Sequence, residues 1–129
     1  MIDVKLNPDC IRDVLLYAEE NADPDDPWIV PKDGESALPL FTAREVRYHV
    51  DQCVDAGYLE NGDEWITDEM EILNLTFAGH QALAAIRNPV IHEKAKNEWL
   101  SKVQDGLLSA TTAQFVSVAT GILKSALLS

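Results

Sequence analysis

The stretch Thr42-Ala43-Arg44-Glu45-Val46-Arg47-Tyr48-His49-Val50-Asp51-Gln52-Cys53-Val54-Asp55-Ala56-Gly57-Tyr58-Leu59 decides how this chain folds. Thr42 and Glu45 stand at the spacing of a capping box, and Phe41 is placed to staple onto Val46. Val46, Val50, Cys53 and Val54 recur at helical spacing and define an inward face. Arg44, Arg47, Tyr48, Asp51 and Asp55 line the other side. Gly57 stops the helix, because glycine enters the left-handed conformation without the clash a Cβ would cause. Tyr58 and Leu59 then open an extended segment, so a two-faced helix runs directly into a strand.

Working outward, residues 58–75 are rich in strand formers (Trp65, Ile66, Thr67, Ile72, Leu73, Leu75) and read as a β-hairpin. Its turn falls near Asp68-Glu69 or at the competing Asn61-Gly62. Upstream, Asn7-Pro8 caps a first helix that buries Cys10, Ile11, Val14, Leu15 and Ala18 and ends near Asn21. Residues 21–37 hold Pro24, Pro27, Pro31, Gly34 and five acids and read as an exposed loop. Leu38-Pro39-Leu40 is a candidate third strand, confined to an edge by its proline. Downstream, Thr76 opens a helix to about Arg87 that buries Phe77, Leu83 and Ile86. Asn88-Pro89 opens another, ended by Asp105-Gly106. The last helix, residues 112–127, carries a broad apolar face.

The chain has 129 residues, 47% of them hydrophobic and 25% charged, with a formal net charge of −12. A domain of this size buries roughly two thirds of its unfolded surface and folds without staples. Residues 61–80 hold 5 acids and no Lys or Arg, whereas residues 81–129 hold 3 acids and 5 bases, so only the C-terminal part is net positive. Cys10 and Cys53 fall in helical patterns, which fits reduced core thiols of a cytoplasmic protein. The first residues lack the shape of a secretory signal, and no apolar run reaches the length of a membrane span.

Helix, strand, helix, hairpin, helix is the order of a winged helix-turn-helix, and Tyr48-His49 through Ala56-Gly57-Tyr58-Leu59 is similar to the end of many winged-helix recognition helices. A closer resemblance rests on Leu6-Asn7-Pro8-Asp9-Cys10-Ile11-Arg12-Asp13, on Tyr48-His49…Ala56-Gly57, and on Leu75-Thr76-Phe77-Ala78-Gly79-His80…Ile86-Arg87-Asn88-Pro89. With these segments the chain resembles a family of short proteins, a domain of unknown function, found in bacteria, phages and prophages. Ala78, Ala82 and Ala84 depart from the bulkier or charged residues of that pattern. The resemblance implies a winged-helix-like topology and a phage or prophage setting, and it implies no activity.

The expected architecture is therefore α+β and mainly helical. A winged helix-turn-helix with a β-hairpin wing occupies residues 1–88, and two further helices occupy residues 89–129. His49, His80 and His92 lie on three separate helices without the spacing of a zinc site, so no metal is expected. His49 should be buried and bonded to the backbone, and His80, in the first turn of its helix, neutral and packed. No catalytic residue and no cofactor is expected, because no phosphate-binding glycine loop or nucleophile–base–orienter set is present.

Arg44, Arg47, Tyr48 and Gln52 form the candidate face for nucleic acid or for a partner. Glu45, Asp51 and Asp55 lie on or beside that face, and the hairpin offers Glu60, Asp63, Glu64, Asp68, Glu69 and Glu71 without a base. Phosphate contacts supply most DNA affinity, so this charge disfavours DNA. The favoured reading is a small regulatory or adaptor protein that binds another protein, one with basic surface. A winged-helix DNA-binding regulator is the alternative. Trp28 is the candidate anchor for a partner, or else a plug that folds back on the core. Phe115, Val118, Ile122 and Ala126 form the candidate face of a homodimer.

Overall fold

The computed structural model describes residues 6–62 and 70–128. Among them five helices and three strands follow in the order α1 (Pro8–Asn21), β1 (Trp28–Val30), α2 (Ala43–Asp55), β2 (Leu59–Asn61), β3 (Met70–Leu75), α3 (Phe77–Ile86), α4 (Pro89–Gln104) and α5 (Thr112–Leu128). The fold is α+β and mainly helical.

The helices begin where the side chains dictate. Asn7 accepts the Asp9 N–H at 2.9 Å with Pro8 in the first turn of α1. Thr42 and Glu45 close the capping box of α2, each accepting the other's backbone N–H, at 3.0 and 3.1 Å. Asn88 accepts from Val90 and Ile91 ahead of Pro89. Each cap satisfies donors that a helix start leaves without partners, at about 1 kcal/mol apiece. Helix α1 buries Cys10, Ile11, Val14, Leu15 and Ala18, the stripe its periodicity predicts. Helix α2 ends on Gly57 at φ 84°, with the Gly57 and Tyr58 N–H groups returning to the Val54 and Cys53 carbonyls. This paired return is a Schellman motif.

The sheet is antiparallel in the order β1-β3-β2. Leu59 pairs with Leu75 and Asn61 with Ile72. The Gly62 N–H donates to the Glu71 carbonyl at 2.8 Å, so the ladder runs through Asn61-Gly62 rather than reversing there. The other expected turn, Asp68-Glu69, lies outside the described residues, as do Trp65, Asp63 and Glu64.

The third strand is not Leu38-Pro39-Leu40. Those residues form a turn closed by the Phe41 N–H on the Leu38 carbonyl at 3.0 Å, with Pro39 at the position where its fixed φ favours such turns. The strand is instead Trp28-Ile29-Val30, inside the stretch expected to be an exposed loop, pairing Trp28 with Ile72 and Val30 with Met70. Pro27 and Pro31 flank it, which an edge strand tolerates.

Helix α3 is placed by a close approach. A Cβ on Gly79 would lie 2.0 Å from the Tyr58 carbonyl oxygen, so only glycine fits there. Thr76 completes the junction: its N–H donates to the Tyr58 carbonyl, its hydroxyl donates to the Gly57 carbonyl, and its oxygen accepts the Gly79 N–H. With residue 79 facing inward, Phe77 and His80 stand roughly 200° and 100° around a helix of about 100° per residue. Both are accordingly exposed, Phe77 at 78%, contrary to the burial expected of them.

A single cluster of buried side chains runs from Cys10 to Ala119 and includes Trp99 and Phe115, so packing continues across residue 88. Asp9 at the start of α1 ties it to α4 through His92 Nε2 at 2.7 Å and Lys96 Nζ at 3.2 Å. Burial raises the Asp9 pKa, but these two hydrogen bonds outweigh it and hold the carboxyl below its ordinary value. No described helix is long and apolar enough to cross a membrane.

Gly79→Ala is expected to cost about 3 kcal/mol, because its Cβ meets backbone that cannot yield. Gly121→Ala, in the interior of α5 with no atom within 4 Å of the added carbon, should instead gain about 0.5–1 kcal/mol through helix propensity. Chemical denaturation of the two variants beside the wild type checks both signs.

Candidate functional site

Helix α2 has two sides with different chemistry. Inward, Val46, His49, Val50 and Cys53 are buried. His49 is 1% exposed and doubly bonded: its Nε2 accepts the Asn7 N–H at 2.8 Å, and its Nδ1 lies 2.7 Å from the Glu45 carbonyl. A ring that accepts at Nε2 and donates at Nδ1 is neutral. Burial pushes its pKa down. His49 therefore links the start of α1 to α2, as the expected buried and backbone-bonded histidine.

Outward, Arg44 lies three and four residues before Arg47 and Tyr48, and Asp51 three and four residues after Tyr48 and Arg47, which stacks them along one stripe. They line a concavity of about 340 Å³ together with Lys32 and Met70. The Arg47 guanidinium donates from Nη1 to the Val30 carbonyl at 3.3 Å, which holds it over the edge of β1. Tyr48 stands edge-on to the His49 ring at 5.1 Å between centroids, so the buried histidine sets the aromatic wall of the site. Arg47 and Tyr48 are half-buried, and Lys32, Arg44 and Asp51 are exposed. Among the described residues, three cations (Lys32, Arg44 and Arg47) and one carboxylate (Asp51) line the concavity.

Sequence reasoning missed Lys32. It is the one base between residues 21 and 37 and directly follows Pro31, a signal that was present but gave no spatial address. Pairing of β1 with β3 supplies that address by carrying the chain past α2. Gln52, by contrast, does not join the other three residues of the expected face. It lines a separate hollow of about 190 Å³ with Asp55, Ala56 and Thr111 to Ala113. Its place at the rim of the helical stripe turns it toward the start of α5.

The candidate anchor Trp28 is 6% exposed, and its ring lies 4.6 Å from that of Tyr17. It is the core plug, not a side chain presented to a partner, because β1 pairing turns it beneath the sheet onto α1. The candidate dimer stripe also divides. Phe115 is 0% exposed and packs edge-on against His92 and Trp99 within its own chain. Val118 and Ile122 are half-buried and Ala126 is exposed. These three line a groove of about 700 Å³ between α4 and α5, with Lys94, Glu98 and Lys102 on the opposite wall. Residues 124–128 are exposed throughout, so the last turns of α5 run beyond the core that holds its first turns.

The buried thiols are not poised nucleophiles. Burial, with the nearby carboxylates of Glu45, Asp13 and Asp9, pushes Cys10 up to about 12, and burial raises Cys53 further. His49 shares a helical face with Cys53 but commits both ring nitrogens to backbone groups. Among the described residues no group of three His, Cys, Asp or Glu side chains is placed to hold a metal ion.

Fold and site together define a small, mainly helical α+β protein with a concavity on the outer face of α2 that Lys32, Arg44, Arg47, Tyr48 and Asp51 help to line. A family model described as "Hypothetical protein (DUF2513)" matches residues 5–105, and the chain belongs to that family. No curated protein matches the chain, and no solved structure does. The matched segment closes at the C-terminal cap of α4, so α5 lies beyond it. Within it, the Leu75-Thr76…Gly79 segment is the junction that seats α3 on the Tyr58 carbonyl.

Both thiols should resist a disulfide reagent such as DTNB in the native protein at pH 8 and react fully once it is unfolded. A fast native reaction of either one would contradict the raised thiol pKa values.

Proposed function

We propose that this chain is a small non-enzymatic regulatory or adaptor protein that acts by binding another protein, with the outer face of α2 as the contact surface. The observation that supports this most directly is the convergence of Lys32, Arg44, Arg47 and Tyr48 on one concavity that holds no described catalytic constellation. The acidic surface of the chain steers a partner with basic surface. A few well-packed side chains carry such interfaces, and half-buried Arg47 and Tyr48 are of the type that does so. A phage or prophage setting rests on the resemblance alone, and a cytoplasmic location on the reduced thiols.

A winged-helix regulator that binds DNA as a dimer is the second reading. It is favoured by the order helix, strand, helix, hairpin, helix, by the sheet order β1-β3-β2, and by paired arginines on α2. Against it stand Asp51 within the stripe and Glu60 and Glu71 on the hairpin, which repel phosphate. Residues 31–42, ahead of α2, form turns and no helix, so α2 has no short-turn helical partner before it. A fold of this kind does not by itself assign a function. The homodimer is proposed to form through Val118, Ile122 and Ala126 of α5, without Phe115.

Binding to a pool of duplex DNA across a salt series, with Arg44→Ala/Arg47→Ala alongside, separates the two readings. The protein-interaction reading expects no binding even at low salt, and a partner pull-down that the double variant loses. Tight binding weakened by both salt and the substitutions would replace it with the regulator. Sedimentation at tens of micromolar, a concentration set by ordinary interface affinities (roughly micromolar or tighter), should show a dimer that Ile122→Asp disperses. A wild-type monomer there would remove the α5 interface.

A further inference from the structure

We infer that the hollow between the end of α2 and the start of α5 binds the side-chain carboxamide of a glutamine or asparagine on a partner protein. This site lies beyond the outer face of α2, and it rests on the protein-interaction reading only for the peptide nature of its ligand. Among the described residues, Gln52, Asp55 and Ala56 line one side of the hollow and Thr111, Thr112 and Ala113 the other, around about 190 Å³. Thr112 is 2% exposed, yet its hydroxyl has no hydrogen-bond partner among them. A buried polar group in that state is costly, and a ligand that supplies the partner removes the cost.

The backbone beside that hydroxyl is open as well. Thr111 caps α5: its hydroxyl accepts the Gln114 N–H at 3.2 Å, and its carbonyl accepts the Phe115 N–H at 3.1 Å. These bonds leave the Thr112 and Ala113 N–H groups, at the positive end of a 17-residue helix, without an acceptor among the described residues. Across the hollow Gln52 is half-buried and Asp55 is exposed. Among the described residues neither of these two side chains makes a hydrogen bond or an ion pair.

Sign and size select the ligand. The open N–H groups need an acceptor and Asp55 needs a donor, so the hollow suits a group that carries both side by side. A carboxylate offers only acceptors and meets the Asp55 charge. An ammonium or guanidinium offers only donors and meets the positive helix end. A neutral carboxamide answers both: its oxygen accepts from the Ala113 N–H and the Thr112 hydroxyl, and its NH2 donates to Asp55 and to the Gln52 amide oxygen. At about 190 Å³ the hollow is smaller than the roughly 300–1,000 Å³ of small-molecule pockets. It therefore takes a side chain, with Ala56 and Ala113 against its methylenes, rather than a free cofactor. Nucleobase edges also pair an acceptor with a donor, but the phosphates that come with them meet Asp55 on a chain of −12.

The test is a nitrogen-15 NMR titration of the intact chain with a blocked tripeptide whose central residue is glutamine. Its glutamate counterpart, inorganic phosphate and a short adenine-rich single strand of DNA serve as parallel probes. Shifts are expected at Gln52, Asp55, Thr112 and Ala113 with the glutamine peptide, and roughly tenfold weaker binding of the glutamate peptide, the loss of about one hydrogen bond to a charged group. Thr112→Val removes a hydroxyl that has no partner and keeps the side-chain shape, so it should weaken the glutamine peptide several-fold with no loss of thermal stability. Asp55→Asn, at an exposed position, should reverse the preference toward the glutamate peptide, because the helix end then faces no opposing charge. Equal binding of the two peptides by the wild type, unchanged glutamine binding by Thr112→Val, or an unchanged preference in Asp55→Asn would each overturn the site. So would tighter binding of phosphate or DNA at the same residues, or no response to tens of millimolar glutamine peptide. If the glutamine peptide fails while a partner pull-down still depends on Arg44 and Arg47, the outer face of α2 stands and only this hollow is discarded.

Discussion

The Tyr58 carbonyl is the point on which the architecture turns. It accepts the Thr76 N–H, and α3 passes so close above it that residue 79 has no room for a Cβ. The Thr76 hydroxyl bridges from the Gly57 carbonyl to the Gly79 N–H, so the end of α2 and the start of α3 share one side chain. Leu59 and Leu75 pair just beside it, which closes the open ends of β2 and β3 together. Buried backbone groups without partners are costly, so this knot of satisfied donors and acceptors admits little displacement. It fixes the direction of the hairpin, the rotational phase of α3, and through α3 the seat of α5.

A second tie sets the orientation of α2. His49 receives the Asn7 N–H and donates to the Glu45 carbonyl, locking the start of α1 against the inner face of α2. With one face held, the opposite stripe of Arg44, Arg47, Tyr48 and Asp51 is committed to the surface. The candidate site is thus a consequence of core packing: its aromatic wall leans on a core histidine, and Arg47 leans on β1. Rigid support of this kind positions binding side chains better than a loop does.

Helix ends were the most legible features, because a cap is local chemistry. Asn7-Pro8, Thr42…Glu45, Asn88-Pro89, Gly57 and Asp105-Gly106 each carry their reason within a few residues, and each terminates or starts a helix as its side chain requires. The edge strand was not legible. Leu38-Pro39-Leu40 and Trp28-Ile29-Val30 are both apolar tripeptides beside prolines, and local propensity does not rank them. The choice is made by β3, which offers Met70, Glu71 and Ile72 as pairing partners to the second and none to the first. Lys32 was invisible as a site residue for the same reason, since its neighbourhood exists only once β1 has paired.

By itself the sequence determined where the helices start and stop, which stripe of α1 and α2 is apolar, and that the chain carries a large negative charge. These follow from backbone sterics, capping hydrogen bonds and residue type, all of which act over short stretches. Only the tertiary structure decided how far Phe77, His80, Trp28 and Phe115 are from water, and that Lys32 meets Arg44 and Arg47. An apolar or charged side chain has a preference but no address, and the address comes from long-range contacts. Here those contacts are the pairing of β1 with β3, the seating of α3 on Tyr58, and the packing of α5 on α4.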